Sequence, residues 1–496
     1  MKNRINGPVL AVLTLLTMAA CGGGSSGSGN SGPIGTPNPP PGGGGTTPPP
    51  DPILGINGGG KWNALGPLST FGSIVVIGVR YEVDDAEFLV NGQPATQADL
   101  KQGQVVFVVG NVDEGGLTGQ AERVVYEHNL RGTITAIDLG ARSLTALGQS
   151  VQVGVDTIFG ASIPVGGIEA LAVGDAVFIS GFVDSLGRLV ATRIDRDPAP
   201  GTSELRGVAT GVDVAASRFS INGLVVDYGS ATLAGFAAGV PANGDTVFVS
   251  GPSPVTGQPL LANLVAWRAG GVDADADDNV FIEGLVTAFR SATDFEVAGQ
   301  PVLTTSSTVF VGSSLARLGR DALVSVEGSL DPQRRLVAVR VEVVPRADTE
   351  IEALIDGVDI ASGTIRMLGI DVHTTARTRY ADDDDDRPIT LADLRPGDGV
   401  EIAGYSFDGR FIAVRIERDD DGDDGVQIEG PIGSVAAPEF RIAGIRILTN
   451  ASTAFERDDE TLTAAEFFAT ALGRRVEVDG AWNGEVVVAE DVELDD

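Results

Sequence analysis

Three runs of aspartate are the stretches of this sequence with the clearest capacity for chemistry. They read DADADD at Asp273–Asp278, DDDDD at Asp382–Asp386 and DDDGDD at Asp419–Asp424. Closely spaced carboxylates, together with backbone carbonyls, can supply the six to eight oxygens that calcium requires. A block of like charges is also typical of a self-repelling, solvated linker. We interpret the runs as linkers, with calcium binding as the alternative.

The third run comes nearest to a calcium-binding loop. Asp419, Asp421 and Asp423 have the alternate-position spacing of the first ligands in such a loop. However, Asp424 stands where an EF-hand has glycine, and Gly430 stands where the bidentate glutamate belongs. The EF-hand motif therefore fails. The three aspartates stay as candidates for weak calcium binding that would stiffen a junction between domains.

The other residue types that carry out catalysis are sparse. The chain has two histidines, His128 and His373, and one cysteine, Cys21. Neither histidine has a second histidine or a cysteine at ligand spacing, which argues against zinc. The sequence also lacks a GxSxG nucleophile elbow and a phosphate-binding loop. We interpret both histidines as surface or strand-end residues and predict no catalytic residue, no cofactor and no enzyme. A hydrolase that uses paired carboxylates is the less favoured alternative.

The net charge of −34 argues against nucleic acid as a partner. Barrels that bind single strands use basic grooves and stacked aromatic rings, whereas Trp62, Trp267 and Trp482 are scattered along the chain. The same charge repels anionic lipid head groups, so we expect membrane contact through a lipid alone. A protein or glycan ligand is compatible with the sequence, which identifies neither that ligand nor the oligomeric state.

The first residues follow the plan of a secretory signal. Lys2 and Arg4 give a positive start, and Val9–Leu16 forms an apolar core that is too short to cross a bilayer. The stretch MAAC, Met18–Cys21, resembles a bacterial lipobox. In that pattern cleavage leaves the cysteine as the lipid-bearing N-terminus. The resemblance implies lipidation of Cys21.

The signal peptide, residues 1–20, precedes a stretch rich in Gly, Pro and Ser over residues 21–60. This composition cannot bury a core, so we expect a disordered, lipid-anchored tether. Gly22 after the cysteine implies, by the lipobox pattern, sorting to the outer membrane. The sequence does not decide between the periplasmic side and the cell surface.

A repeated phrase reveals the elements that must position any site. LRPGDGVEIAG at Leu394–Gly404 returns as LAVGDAVFISG at Leu171–Gly181 and VPANGDTVFVSG at Val240–Gly251. Apolar residues alternate after the Gly-Asp pair, which predicts a half-buried strand. Another copy has Gln104 in the place of Asp398. This replacement indicates a turn residue that bonds the backbone, and not a catalytic acid.

Each repeat combines three strands, a short helical segment and two strands. Hairpins with a central glycine, such as FRIAGIRIL at Phe440–Leu448, supply the second and third strands. Capping-box spacing at Thr96/Asp99, Thr390/Asp393 and Thr463/Glu466 predicts the helical segment. This order is that of a five-stranded OB-type barrel, with a small SH3-like barrel as the alternative. We therefore predict an all-β protein of about six tandem OB-like barrels. These units 1 to 6 cover residues 64–127, 128–201, 202–270, 279–346, 350–418 and 426–496.

Two stretches carry a resemblance to a known family. They are STFGSIVVIGVRYEVDDAEFLVNGQPATQADLKQGQVVFVVG in unit 1 and LAVGDAVFISGFVDSLGRLVATRI in unit 2. They resemble a bacterial family of domains of unknown function, found as tandem OB-like repeats in exported, often lipid-anchored proteins of Gram-negative bacteria. Units 3 to 6 follow the pattern less closely. The resemblance implies a fold and an envelope location, and carries no catalytic residues. We predict a non-enzymatic, lipid-anchored outer-membrane protein with a binding, adhesion or structural role, and a calcium-responsive envelope spacer as the alternative.

Overall fold

The computed structural model describes most of the chain after the tether. The described residues are 58–69, 73–163, 167–311, 314–382, 389–419, 425–457 and 460–494. Strands make up 58% of them and helices 4%, which confirms the all-β class and the repeated domains. Among these residues no helix is long and apolar enough to span a membrane. The signal peptide, Cys21, residues 22–57 of the tether, Asp421 and Asp423 lie outside them, whereas the last tether residue, Gly60, begins the first strand.

The strands of the first three units follow the chain in order. Unit 1 contains β1 (Gly60–Pro67), β2 (Ile74–Val76), β3 (Val79–Glu82), β4 (Glu87–Val90), β5 (Gln93–Ala95), a 3₁₀ helix (Gln97–Asp99), β6 (Val105–Val112) and β7 (Thr118–Tyr126). Unit 2 contains β8 (Leu130–Asp138), β9 (Ser143–Ala146), β10 (Gln149–Phe159), a 3₁₀ helix (Gly167–Ala170), β11 (Ala176–Val183) and β12 (Leu189–Arg196). Unit 3 contains β13 (Thr202–Val208), β14 (Thr210–Asp213), β15 (Arg218–Ile221), β16 (Leu224–Asp227), β17 (Thr232–Ala234), β18 (Thr246–Pro252), β19 (Leu260–Leu261) and β20 (Leu264–Arg268).

The last three units follow, with a helix in units 4 and 6, whereas the helical segment predicted after Thr390 in unit 5 is a turn. Unit 4 contains β21 (Asn279–Ser291), β22 (Asp294–Val297), β23 (Gln300–Phe310), α1 (Ser314–Arg317), β24 (Leu323–Leu330) and β25 (Leu336–Val343). Unit 5 contains β26 (Thr349–Leu354), β27 (Gly357–Asp359), β28 (Thr364–Met367), β29 (Ile370–His373), β30 (Arg379–Asp382), β31 (Gly399–Phe407) and β32 (Arg410–Asp419). Unit 6 contains β33 (Gly425–Ala436), β34 (Glu439–Ile442), β35 (Ile445–Leu448), β36 (Ala454–Arg457), β37 (Glu460–Thr461), α2 (Ala464–Thr470), β38 (Arg475–Trp482) and β39 (Val487–Leu494).

In units 2 and 4 the strand pairing closes on the strand at which it starts, whereas the strands of unit 3 fall in two sheets. In unit 2, β8 pairs with β9, β9 with β10, β10 with β12 in parallel, β12 with β11, and β11 with β8. The hairpin between the second and third strands needs two consecutive residues with positive φ. In unit 5 these are Leu368 at 47° and Gly369 at 76°. Such a pair defines a turn that matches the twist of the strands.

The first strand of each unit also pairs with the first strand of another unit. β8 pairs with β13, β26 pairs with β33, and β1 pairs in parallel with β21. The partners are therefore units 2 and 3, units 5 and 6, and units 1 and 4. As a result, three of the four sheets run through more than one unit and hold 9 to 14 strands.

Units that pair through their first strands also share hydrophobic cores or contribute residues to each other's core. One cluster of buried side chains spans units 5 and 6, and another spans units 2 and 3. In β21, Val280 and Ile282 face the core of unit 4, while Phe281 between them is fully buried in the core of unit 1. Leu65 of β1 packs against the core of unit 4 in return. The units are thus fused by shared sheets, as in a β-solenoid, and the prediction of discrete OB-like barrels is wrong.

Candidate functional site

A cleft lies where unit 2 meets units 5 and 6. Its cavity has a volume of 400 Å³. Unit 2 supplies an apolar wall with Phe159 and Ile163, and the facing wall is a sheet of strands from units 5 and 6. The charged lining residues are Arg142, Glu169, Glu350, Glu352, Glu401, Arg415, Glu417, Glu429 and Glu477.

Strand register aligns the glutamates of the facing wall in two rows. In the first row Glu352 on β26 lies opposite Glu401 on β31, and Glu401 lies opposite Glu417 on β32. On its other side Glu352 lies opposite Gln427 on β33. Adjacent strands are about 4.8 Å apart, and like charges directly opposite one another destabilise a sheet. The wall therefore concentrates negative charge at a cost in stability.

On β26 and β33 the second row lies two residues away from the first, and it continues onto β38 and β39. Glu350 on β26 lies opposite Glu429 on β33, which lies opposite Glu477 on β38. Glu477 in turn lies opposite Glu493 on β39. Residues two apart on a strand share a face, so both rows belong to one surface. This surface crosses the boundary between units 5 and 6.

Arg415, on β32, compensates part of this negative charge. Its side chain is 4% exposed. One guanidinium nitrogen donates to Glu350 at 2.8 Å and to Glu401, and the other donates to Glu417. The first nitrogen also donates to the carbonyl of Val155 in unit 2, at 3.1 Å. Arg415 thus neutralises the rows and ties them to the opposite wall of the cleft.

Arg142 reaches the second row from unit 2. Its Nη1 donates to Glu429 at 3.0 Å, and its Nη2 lies 3.9 Å from Glu350. On β38, Arg475 donates to the other oxygen of Glu429 at 2.7 Å. A guanidinium on a neighbouring unit therefore already binds this carboxylate surface. Seven glutamates against two arginines still leave the cleft lining with an excess of negative charge.

The cleft was not predicted from the sequence, which drew attention to the aspartate runs instead. The available signal was the alternation of acidic and apolar residues in strands, as in Glu350-Ile-Glu352 and Glu477-Val-Asp479. Asp419 ends β32, the last strand of unit 5. Within the described residues no group of three or more His, Cys, Asp or Glu side chains is placed to hold a metal ion.

One aspartate in each of the other two runs is packed, which departs from their interpretation as solvated linkers, whereas Asp273, Asp275 and Asp277 are exposed and residues 383–386 lie outside the described residues. Asp278 accepts a hydrogen bond from Asn63 of unit 1 at 3.2 Å, and Ala274 is buried. Asp382 is fully buried on β30, where Arg418 donates to it at 2.6 Å. These carboxylates stabilise junctions and sheets.

The two histidines differ in their surroundings. His128 of unit 2 lies between three units, because its amide donates to Asn91 of unit 1 at 3.0 Å and its Nδ1 is 2.6 Å from Glu204 of unit 3. Its ring is 4.6 Å from that of Phe178. Its side chain is 13% exposed, so it is not a surface residue. His373 ends β29, and partial burial, reinforced by Arg410, lowers its pKa. Neither residue lines the cleft.

The Gly-Asp phrase proves to be a turn, as predicted. Asp398 accepts a hydrogen bond from the amide of Arg395 at 2.8 Å, and Asp175 and Asp245 accept the equivalent bond in their own units. Gln104 accepts it in unit 1, also at 2.8 Å. An amide oxygen thus does what the carboxylate does, which identifies a structural role for the position.

Comparison with protein-family models matches four segments, residues 131–195, 283–342, 351–417 and 429–493, to the family described as "Domain of unknown function (DUF5666)". The segments amount to more than half of the chain. The chain belongs to this family. The matched DUF5666 segments fall in units 2, 4, 5 and 6. Units 4, 5 and 6 are therefore members although they follow the repeat pattern less closely. Unit 1 is not among the matches. No curated protein and no solved structure matches the chain.

Proposed function

We propose that this DUF5666 protein is a non-enzymatic, lipid-anchored protein of the bacterial outer membrane that binds a cationic ligand. The observation that carries the binding role is the cleft, because its walls come from three units and its carboxylates are held in register by the sheet. A ligand with ammonium or guanidinium groups suits this lining, as Arg142 of the chain itself illustrates. Phe159 and Ile163 would contact the apolar parts of the ligand.

The binding role is tested by calorimetry on the full chain with Cys21→Ser, which removes the proposed lipid. Spermidine and a lysine-rich peptide serve as probes. We expect saturable binding that weakens about tenfold in the double variant Glu169→Gln with Glu352→Gln, since each charge pair contributes up to about 1 kcal/mol. Glu114→Gln, on an exposed hairpin far from the cleft residues in sequence, is the matched control. Equal affinity in all three proteins would exclude the cleft.

The anchor is tested separately by metabolic labelling with a fatty acid. The wild-type chain should carry the label, and Cys21→Ser should not. Equal labelling of both proteins would contradict lipidation. Protease treatment of intact cells then decides whether the units face outward or into the periplasm.

A calcium-responsive spacer is the second candidate. It is favoured by the aspartate run Asp273–Asp278, which lies at the junction of units 1 and 4 through the contact of Asp278 with Asn63. If calcium stiffens this junction, the melting temperature should rise at millimolar calcium and fall with chelator. An unchanged transition would count against the spacer and leave the cleft unaffected.

A further inference from the structure

A second cavity, separate from the cleft, lies where units 1, 2, 4 and 5 meet. Its volume is 80 Å³, enough for two or three water molecules at about 30 Å³ each. Three arginines line it: Arg346, Arg377 and Arg379. The charge of each arginine is compensated to a different extent by the neighbouring residues.

Arg377 pairs with two carboxylates on the wall formed by unit 4. It donates to Glu283 at 2.9 Å, to the hydroxyl of Ser325 at 3.0 Å and to Glu342 at 3.4 Å. Its two carboxylate partners therefore have their own cation. Glu283 also interacts electrostatically with Arg379 across the cavity.

Arg379 is compensated only in part. Its side chain is 6% exposed. Nη2 donates to the carbonyl of Asp156 at 2.7 Å, but the Asp156 carboxylate is 3.7 Å away, beyond hydrogen-bond distance. Its Nε–H is buried and has no hydrogen-bond partner among the described residues. Burial lowers the pKa of Arg379, and the nearby Arg415 adds to the effect.

Arg346 faces the same carboxylate. A methyl group placed on Gly154 would lie 2.6 Å from Asp156 Oδ1 and 3.5 Å from Arg346 Nη2, so the two side chains approach each other around this glycine. Within the described part of the chain no residue forms a hydrogen bond or ion pair with Arg346. Two guanidinium groups on this wall thus share one carboxylate.

Tyr405 supplies a further donor to the cavity. Tyr405 lines the same space as the two arginines. Burial raises the pKa of this phenol, so it stays protonated at neutral pH and can donate a hydrogen bond. Arg346, Arg379 and Tyr405 thus place three donor side chains in the lining, beside the carboxylate of Asp156.

We propose that this cavity binds a small oxyanion, held by Arg346, the Nε–H of Arg379 and the hydroxyl of Tyr405. A buried guanidinium without a hydrogen-bonded counter-charge is costly, and an oxyanion supplies both the charge and the acceptors. The volume restricts the ligand to the size of acetate or inorganic phosphate. The site is independent of the cationic cleft, with which it shares no arginine.

The test measures thermal unfolding of the full chain with Cys21→Ser in acetate, phosphate and, as a bulky anion at the same ionic strength, gluconate. We expect a saturable rise in melting temperature with acetate or phosphate and none with gluconate. Comparison of acetate with phosphate decides which oxyanion class the site prefers.

Two variants tie the effect to the cavity. Arg379→Met removes the buried guanidinium, and Arg346→Met removes the exposed one in case the first variant does not fold. Each should weaken the apparent affinity at least about tenfold, as expected for one charged hydrogen-bonded partner. Arg290→Met, on the surface of unit 4 with a side chain 57% exposed, is the control and should respond as the wild type does. The proposal is overturned by a response that is absent, that does not saturate, or that is the same in both variants as in the wild type.

Discussion

At the scale of single residues, the carboxylate rows depend on a few buried arginines. Arg415 serves Glu350, Glu401 and Glu417 at once and also holds unit 2 through Val155. Removing one partner of a buried ion pair leaves the other charge uncompensated. The fold therefore tolerates opposing glutamates only while this cation is present.

We predict that Arg415→Met lowers the free energy of unfolding by about 3–5 kcal/mol, because three carboxylates lose their shared cation. Urea unfolding at neutral pH measures the loss. Arg366→Met is the control, since the Arg366 side chain is 61% exposed and its pair with Asp371 contributes at most about 1 kcal/mol. A similar loss in both variants would show that Arg415 has no special role.

Asp479 allows a test of like-charge repulsion with a defined pH dependence. Burial, reinforced by Asp491 opposite on β39, raises the pKa of Asp479. The native state therefore holds this proton more tightly than the unfolded state, and stability is lost as the pH rises through the native pKa. We predict that Asp479→Asn raises stability at pH 7 by a few tenths of a kcal/mol, and that the gain vanishes below about pH 4.

Asp331 is the matched control, because its pKa is shifted in the opposite direction to that of Asp479. Backbone hydrogen bonds, chiefly from Arg335, lower the pKa of Asp331. The contribution of Asp331 is present above the unfolded pKa and is lost as the pH falls through the native one. Asp331→Asn should therefore lower the melting temperature at pH 7. Thermal unfolding across pH measures both variants, and shifts of the same sign would refute the argument.

At the scale of elements, the first strand of each unit explains both what the sequence predicts and what it does not. Alternating apolar residues predict the strands, and the capping bond of Thr463 with Glu466 confirms the one regular helix that was expected in unit 6. The first strand of each unit pairs on one side within its own unit and on the other side with a strand of another unit. The sequence does not indicate which strand that second partner is. The run Val280-Phe281-Ile282 has apolar residues on both faces, which indicates burial on both sides but names no partner. The cleft was missed for the same reason, because it depends on the pairing of β26 with β33.

We predict that Phe281→Ala destabilises unit 1 although the residue belongs to unit 4. Phe281 is fully buried in the core of unit 1, so its truncation should cost about 3–5 kcal/mol. The fluorescence of Trp62, which is buried in that core, reports the change once Trp267 and Trp482 are replaced by Phe. Phe295→Ala, in the core of unit 4 itself, is the control and should perturb Trp62 less. An equal change of Trp62 fluorescence in both variants would mean that Phe281 and Phe295 do not belong to separate cores.

At the scale of the whole molecule, stability is organised in pairs of units and not in single repeats. The described residues, all of which follow Pro49, form one compact body. Within it, the shared cores of units 2 and 3 and of units 5 and 6 link sequence neighbours, whereas units 1 and 4 are joined across two other units. A single unit removed from its partner exposes an unpaired strand edge and part of a core.

We predict that a fragment of units 5 and 6, residues 346–496, unfolds cooperatively, whereas unit 6 alone, residues 425–496, does not. The reason is that Ile351 and Ile402 of unit 5 share a core with Ile428 and Val478 of unit 6. Urea unfolding followed by near-ultraviolet circular dichroism compares the two fragments. A sharp transition in the isolated unit 6 would show that single repeats are the cooperative units.

The pairing of β1 with β21 also sets an order of events during synthesis. Asn63 contacts the backbone of Asn279, a separation of 216 residues along the chain. At about 5–20 residues per second, the ribosome adds that length in about 10–40 seconds. Unit 1 is made first, yet its core lacks Phe281 until unit 4 has been translated. The oldest part of the nascent chain therefore completes its fold only after units 2 and 3 and the first strand of unit 4 have been made, and its apolar edge needs protection throughout that interval.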